Sequence, residues 1–194
     1  MLTLYFAPGS SSMAAHIALH EVGAAFESRP VLLGSNGTRA PEFLAINPRG
    51  KVPTLVVDGH ALTEVAGILF YLARAYPAAK LLPEGDPLQE AEVVSWMSYL
   101  ASGVHPARSQ GLEYAQGIWA QTEQRLGGRD WAVGDRYSIA DIHLFRLFWR
   151  FGSSLKPDPA AFPGLTRHHD RIIRRPAVAK TIEIEKAIGY ALPA

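Results

Sequence analysis

The sequence predicts two domains of different class, an α/β domain followed by an all-helical domain. Strand and helix signals alternate over residues 1–77, prolines and glycines interrupt the pattern over residues 78–87, and strand signals are missing from residues 88–194. The chain has 194 residues, a length that suits one large or two small domains at ~100–200 residues each. The change of pattern favours two domains joined by a linker at 78–87.

The α/β domain follows the order strand, helix, strand, helix, hairpin and helix. Its first strand is rich in β-forming residues and ends at Pro8-Gly9, after which three serines precede the first helix. The Asp58-Gly59 pair is typical of a hairpin turn. These signals predict strands at 2–6, 26–33, 52–57 and 60–63, helices at 13–22 and 64–75, and a short helix or turn at 41–46.

Beyond the linker, apolar residues recur at helical spacing in four stretches. In one of them Ala115, Trp119 and Leu126 fall on a single helical face. We therefore predict helices at 90–100, 112–126, 139–151 and 176–187.

Composition and charge exclude several classes of function. Lys and Arg number 19 against 18 acidic residues, so the net charge is +1 and gives no attraction for nucleic acid or a lipid surface. The chain contains no cysteine, which excludes disulfides, thiolate metal ligands and a thiol nucleophile carried by the protein. Residues 1–7 lack a basic leader, and no apolar stretch approaches the ~20 residues of a membrane span. We expect a cytoplasmic protein with no membrane and no nucleic-acid partner.

Four segments of the chain together resemble one enzyme family. They are residues 5–12 (YFAPGSSS), 47–55 (NPRGKVPTL), 62–71 (LTEVAGILFY) and 133–145 (VGDRYSIADIHLF). In this order and spacing they resemble the glutathione transferases, and the Pro-Gly turn with His105 is most similar to the bacterial beta class. The resemblance implies a thioredoxin-like βαβαββα domain, an all-helical second domain, a homodimer and a detoxification role.

The resemblance also implies where glutathione, the co-substrate, binds. It makes the Val52–Pro53 peptide bond cis, so that the backbone of Val52 pairs with the cysteinyl part of glutathione as an added strand does. Glu64 and Val65 would hold the γ-glutamyl end, and Lys51 the glycyl carboxylate. Val65 replaces a serine or another small or polar residue that is common in the family, so a side-chain hydroxyl is lost here.

The serine cluster is the predicted chemical centre. Aligned on Pro8-Gly9, the beta-class cysteine falls on Ser11, between Ser10 and Ser12. At a helix N-terminus, a serine hydroxyl donates to an anion, so Ser11 is expected to stabilise the glutathione thiolate. The competing interpretation is plain N-capping. Tyr5 is a second candidate donor, although a role in the wall of the site is favoured.

The second domain supplies the remaining candidates. His105 matches a histidine that faces the glutathione sulfur in the beta class, and its alternative is a structural histidine at a helix break before Pro106. Trp96, Tyr99 and Tyr114 are predicted to line the site of an apolar second substrate.

Three further patterns look chemical but have structural interpretations. Ser138 and Asp141 form a capping-box signature, which makes Asp141 structural. His16 and His20 are spaced i, i+4 on a predicted helix, so both could bind one metal ion. No third ligand accompanies them, and no metal site is expected. Residues 168–170 (HHD) are expected to be solvated.

The predicted function is conjugation of the glutathione thiolate to a small apolar electrophile, with Ser11 and His105 as catalytic residues. Two alternatives remain open. Val65 and the lack of cysteine motivate a non-catalytic binding or assembly protein. A glutathione-dependent isomerase or lyase is the other, since fold alone does not select a reaction.

Overall fold

The computed structural model describes residues 1–33 and 35–190. The chain forms two compact units. Of the described residues, the first unit, here called the sheet unit, contains those within 1–79 and 176–190, and the second, the helical unit, contains residues 80–175. The predicted fold class, an α/β domain followed by a helical one, is confirmed.

A four-stranded mixed sheet forms the centre of the sheet unit. Its order is β2-β1-β3-β4, with β1 and β2 parallel and the other neighbours antiparallel. Leu4 and Phe6 of β1 are fully buried, because α1 packs against this strand and against α3. The elements are β1 (Leu2–Phe6), α1 (Ser12–Glu21), β2 (Phe26–Pro30), α2 (Pro41–Ile46), β3 (Thr54–Val57), β4 (His60–Thr63) and α3 (Val65–Ala75).

The helical unit consists of helices packed around a buried aromatic cluster. Trp119 of α6 stacks on Phe151 of α7 with ring centroids 5.2 Å apart, and both side chains are almost fully buried. The helices are α4 (Pro87–Tyr99), α5 (His105–Ala107), α6 (Leu112–Leu126), α7 (Ile139–Leu155) and α8 (Pro163–Ile172). A π-helical turn over Leu100–Val104 joins α4 to α5. The backbone therefore stays helical through His105 and Pro106, and the helix break that the sequence offered as an alternative at this position is not found.

The last helix, α9 (Pro176–Ile188), packs against α1 of the sheet unit. The sequence assigned it to the helical domain, with the first domain ending at residue 77. The difference has a local cause, because Val178, Thr181 and Glu185 lie on one face of α9 and are all 0% exposed. Two of these three residues are polar, and the apolar periodicity therefore does not reveal which unit the helix covers.

Among the residues that the structure describes, no helix combines the length and the apolar character that crossing a membrane requires.

Candidate functional site

The turn between β1 and α1 is held by two buried serines. The Ser12 hydroxyl donates to the Ala7 carbonyl at 3.0 Å and accepts from the Ala7 N–H at 3.0 Å. Since its single hydrogen is used in this way, the Ser10 hydroxyl donates to Ser12, 2.7 Å away. Ser10 and Ser12 therefore build the turn, and their hydroxyls are occupied by it.

Ser11 differs from both neighbours because its side chain is partly exposed. It occupies the N-cap position of α1, yet its side chain makes no capping hydrogen bond. Its hydroxyl instead donates to the Val52 carbonyl at 3.2 Å, a long bond by the usual standard for hydroxyls. Simple N-capping, the competing interpretation of Ser11, is therefore wrong for this side chain.

The Val52–Pro53 peptide bond is cis, as the resemblance implied. A buried side chain, Asn47, fixes the loop that leads to it: its amide donates to the Lys51 carbonyl at 2.8 Å and to the Thr54 hydroxyl at 3.0 Å. Lys51 itself is exposed. Sequence reasoning missed Asn47, although an asparagine before a proline turn is a recognisable signal.

Glu64 lies just before α3, with a φ of 67° in the left-handed region that non-glycine residues rarely adopt. Its side chain does not cap α3 but pairs with Arg49, whose guanidinium lies 2.5 Å from the Glu64 carboxylate. Both side chains are 66% exposed. Val65, half-buried, is the first residue of α3. The sequence did not single out Arg49.

An acidic residue from the other end of the chain fixes the serine turn. The Glu185 carboxylate accepts from the Gly9 N–H at 2.6 Å and from His16 Nδ1 at 2.9 Å, and both Glu185 and His16 are buried. The His16 ring also stacks on His20, with ring centroids 5.1 Å apart. Among the described residues there is no group of three or more side chains suited to hold a metal ion.

The structure does not bring Tyr5 to the serine turn. Neighbouring strand residues point to opposite faces of a sheet, so Tyr5 faces away from Leu4, Phe6 and α1. Its ring packs 5.7 Å from that of Phe43 in α2, and its hydroxyl accepts from Arg29 at 3.1 Å. Tyr5 lines a cavity of about 350 Å³ on that face of the sheet.

The candidate residues of the helical unit differ in exposure. His105 is exposed at the start of α5. Trp96 is only 2% exposed, with the Arg125 guanidinium 4.4 Å from its ring centroid. The Tyr99 hydroxyl bonds with Thr122 at 2.9 Å, whereas Tyr114 is 48% exposed. Of the three aromatic candidates, Tyr114 presents the most surface to a ligand.

The predicted capping box is confirmed, and Asp141 is its centre. The buried Asp141 carboxylate accepts from the Ser138 N–H at 2.8 Å and from the Ala132 N–H at 2.7 Å. It also bonds with His168 Nε2 at 2.9 Å, and the His168 side chain is only 1% exposed. The expectation that residues 168–170 are solvated is therefore wrong for His168, because this histidine is a partner of a buried acid.

One other buried histidine, His143 of α7, has a strongly perturbed pKa. Burial, helped by the nearby Arg146 and His105, lowers the pKa of His143 to about 3. Within the described chain its Nδ1 atom has no hydrogen-bond partner. His143 is therefore neutral at neutral pH.

Two family models match this chain. The model described as "Glutathione S-transferase, N-terminal domain" matches residues 1–74, and "Glutathione S-transferase, C-terminal domain" matches residues 104–176.

Individual proteins are similar over almost the whole length. Glutathione S-transferase GstA from Escherichia coli O157:H7 is 29% identical over 199 residues, covering 95% of this chain and 98% of the relative. Maleylacetoacetate isomerase from Pseudomonas aeruginosa is 33% identical over 193 residues, with 87% and 89% covered. A solved structure of a sphingomonad glutathione S-transferase complexed with glutathione has a TM-score of 0.86 at 34% identity, with 95% and 98% covered.

Proposed function

Since this chain belongs to the glutathione S-transferase family, we propose that it binds glutathione in the sheet unit and transfers the thiolate to a small apolar electrophile. The observation that carries this proposal is the Ser11 hydroxyl. It is partly exposed at the N-terminus of α1, beside the Val52 carbonyl, and it is not used to cap the helix.

The chemistry of Ser11 follows from the properties of a thiol. With a pKa of ~8.5, a free thiol is only slightly ionised at neutral pH. A hydroxyl that donates to sulfur, together with the partial positive charge of a helix N-terminus, favours the thiolate and lowers that pKa. The long bond from Ser11 to Val52 is readily exchanged for one to sulfur. Ser11 is then a hydrogen-bond donor and not a base.

The other candidate residues of the sheet unit bind and orient glutathione. The Val52 backbone pairs with the cysteinyl part of glutathione, Lys51 meets the glycyl carboxylate, and Glu64 with Val65 holds the γ-glutamyl end. In the reaction the sulfur forms a bond to an electrophilic carbon of the second substrate. The bond from that carbon to its leaving group breaks, so that a chlorinated substrate releases chloride, and the thiol proton passes to solvent. Stabilising the thiolate and positioning it account for the acceleration.

The helical unit is proposed to hold the second substrate. The exposed Tyr114 ring supports a contact with an apolar molecule. The buried Trp96 and the hydrogen-bonded Tyr99 support the surrounding structure instead, so Tyr114 is the preferred candidate of the three. His105 is proposed to donate a hydrogen bond within the reacting complex, which its exposure permits.

The test compares Ser11→Ala with Ser153→Ala, a change at an exposed serine of α7. Turnover of glutathione with a chlorinated dinitrobenzene is the measurement. We expect Ser11→Ala to lower kcat/KM by about 10²-fold, as when one hydrogen-bond donor to a developing anion is removed, and Ser153→Ala to leave it unchanged. Equal turnover in all three proteins would show that Ser11 does not activate glutathione. If the wild-type protein neither binds glutathione nor turns it over, a non-catalytic binding or assembly role replaces the proposal.

A glutathione-dependent isomerase is the second candidate, favoured by the 33% identity to a maleylacetoacetate isomerase. The same Ser11 thiolate site would serve it, because glutathione adds to the substrate and is released again. Measuring free thiol over a complete reaction separates the two. Conjugation consumes one glutathione per product, and isomerisation consumes none.

The quaternary state is also part of the proposal. We expect a homodimer in the cytoplasm, since the family is usually dimeric. Light scattering should then give about twice the chain mass of 21.1 kDa, and a mass near that of one chain would contradict it.

A further inference from the structure

An open cavity lies on the face of the sheet that is turned away from α1. Its volume is about 350 Å³, within the ~300–1,000 Å³ range of small-molecule sites in proteins. It is bordered by β1, β2, α2 and residues between β2 and α2, and none of the residues that line it belongs to the serine turn. The cavity is therefore separate from Ser11 and needs its own explanation.

The register of β1 and β2 brings an aromatic ring and a charged group to this cavity. Tyr5 pairs with Arg29 across the two parallel strands, so both side chains project to the same face of the sheet. The Tyr5 ring lies 5.7 Å from the ring of the buried Phe43, at an angle of 46°. The rest of the wall is mostly apolar and includes Pro30, Val31, Leu32, Ala40 and Ile46. A ligand with an apolar, aromatic body suits these walls.

The positive charge of Arg29 is already balanced. Its guanidinium donates to both carboxylate oxygens of Glu27, from Nε at 2.9 Å and from Nη2 at 3.1 Å. Its Nη1 atom donates to the Tyr5 hydroxyl at 3.1 Å. Because an anionic ligand would have to displace Glu27 from a two-bond pairing, Arg29 gives the cavity little attraction for an anion.

The charge that remains at the cavity is negative. Glu42 lines the cavity from the first turn of α2, and its side chain is exposed. Within the described part of the chain, its carboxylate takes part in no hydrogen bond and no ion pair. Arg39, a basic residue of the same segment, lies instead beside Gly50, with Nη1 3.0 Å from the position that a Cβ would occupy there. The Glu42 carboxylate is therefore available to a cation.

We propose that this cavity binds a small organic cation, an ammonium group carried on an aromatic body. The body packs against Tyr5 and Phe43, and the ammonium pairs with Glu42 at the mouth of the cavity. The two rings add to the attraction, because a cation interacts favourably with the face of an aromatic ring. The proposal goes beyond glutathione chemistry and needs no residue of the serine turn.

The experiment is a titration of the isotope-labelled full chain with three probes of similar size, followed by NMR shifts of the backbone amides. The probes are phenethylamine, which is a cation at neutral pH, phenethyl alcohol, which is neutral, and hydrocinnamate, which is an anion. The variants are Glu42→Gln, Glu27→Gln and Ala40→Leu. The matched control is Glu183→Gln, at an exposed acid of α9 in the same unit.

In the wild type, phenethylamine should shift amides of β2 and α2 and should bind about fivefold tighter than phenethyl alcohol, with hydrocinnamate the weakest. Glu42→Gln should lower the affinity for phenethylamine to that for the alcohol. Glu27→Gln should strengthen hydrocinnamate, because Arg29 then lacks its partner. Ala40→Leu should weaken all three probes, because the added carbons fill the cavity. Glu183→Gln should match the wild type.

Four results would overturn the proposal. They are the absence of binding by phenethylamine, equal affinities of the wild type for phenethylamine and the alcohol, a preference for the cation that survives in Glu42→Gln, and amide shifts confined to other parts of the chain. The titration contains no glutathione and no electrophile. Its failure would therefore leave the proposed function intact, and failure of the proposed function would leave this site standing.

Discussion

Each unit of this molecule fixes the start of a helix with a buried acid and a buried histidine, but the two arrangements leave different groups exposed. In the helical unit, Asp141 accepts from backbone N–H groups and bonds with His168 at 2.9 Å. In the sheet unit, Glu185 accepts from Gly9 and bonds with His16 at 2.9 Å. In both units the acid is 0% exposed and the histidine 1% exposed.

The difference lies in what remains at the surface. The helical unit uses its cap serine, Ser138, entirely within the network. The sheet unit fixes the turn through Gly9, Ser10 and Ser12, and leaves the Ser11 hydroxyl partly exposed with only a long bond to Val52. The same kind of buried network therefore uses its serine hydroxyl fully in one unit and leaves a serine hydroxyl partly exposed in the other.

Removing the acid of the helical unit should have the largest effect on stability. Asp141→Ala leaves four buried donors without their acceptor, namely two backbone N–H groups, the Ser138 hydroxyl and His168, and we expect a loss of about 4 kcal/mol in the free energy of unfolding. Urea denaturation measures it. The control is Asp170→Ala, because Asp170 pairs with His169 in an exposed position. Similar losses of unfolding free energy in Asp141→Ala and Asp170→Ala would contradict the claim that the buried network of Asp141 stabilises the helical unit.

Changing the acid of the sheet unit should affect both stability and binding. Glu185→Gln removes one charge-assisted hydrogen bond, either to Gly9 or to His16, at a cost of about 2 kcal/mol. Because Gly9 leads into the Ser11 turn, we also expect a higher KM for glutathione. Glu183→Gln, on the exposed side of α9, is the control. If Glu185→Gln lowered stability and left the KM unchanged, the network would stabilise the unit without positioning Ser11.

The free energy of unfolding should depend on pH, and a different histidine in each unit should be responsible. A histidine whose pKa is about 3 in the folded chain and ~6.5 when unfolded binds its proton only after unfolding at intermediate pH. The free energy of unfolding should then fall by about 2 kcal/mol between pH 8 and pH 5 on account of His143. His143→Phe should remove this share of the pH dependence in urea titrations, and His60→Gln, at an exposed site, should not.

A part of the pH dependence should survive in His143→Phe. Burial, with the nearby His16 and Lys180, lowers the pKa of His20 to about 4, so His20 also disfavours folding as the pH falls below ~6.5. A second substitution, His20→Phe, should remove that remainder. An unchanged pH profile in the double variant would contradict the account of both histidines.

The smallest effect is expected at Tyr5. Tyr5→Phe removes a hydroxyl that accepts from Arg29 on the face of the sheet opposite α1. Turnover of glutathione should stay within about twofold of the wild type, as for most surface changes away from a site. A loss of activity comparable to that of Ser11→Ala would assign the thiolate donor to Tyr5 instead.

Sequence reasoning succeeded where partners are close along the chain. The capping box spans three residues, from Ser138 to Asp141, and was predicted from its pattern. The order of strands and helices followed from turn residues and periodicity, and the cis Val52–Pro53 bond followed from the resemblance. Each of these features is encoded within a short segment.

Long-range contacts were the part that sequence reasoning missed. Glu185 meets Gly9 across 176 positions, and Arg49 meets Glu64 across 15. The sequence predicts a solvated His168, and this prediction is wrong because the acid partner lies 27 positions away. No local pattern marks which distant residue completes such a pair, so only the folded chain identifies them.

The measurement that tests the central claim most directly is the pH titration of thiolate absorbance for glutathione bound to the wild type and to Ser11→Ala. If Ser11 donates to the sulfur, its removal should raise the pKa of the bound thiol by about one pH unit, the equivalent of one hydrogen bond to an anion. Identical titration curves in two proteins that both bind glutathione would contradict the claim.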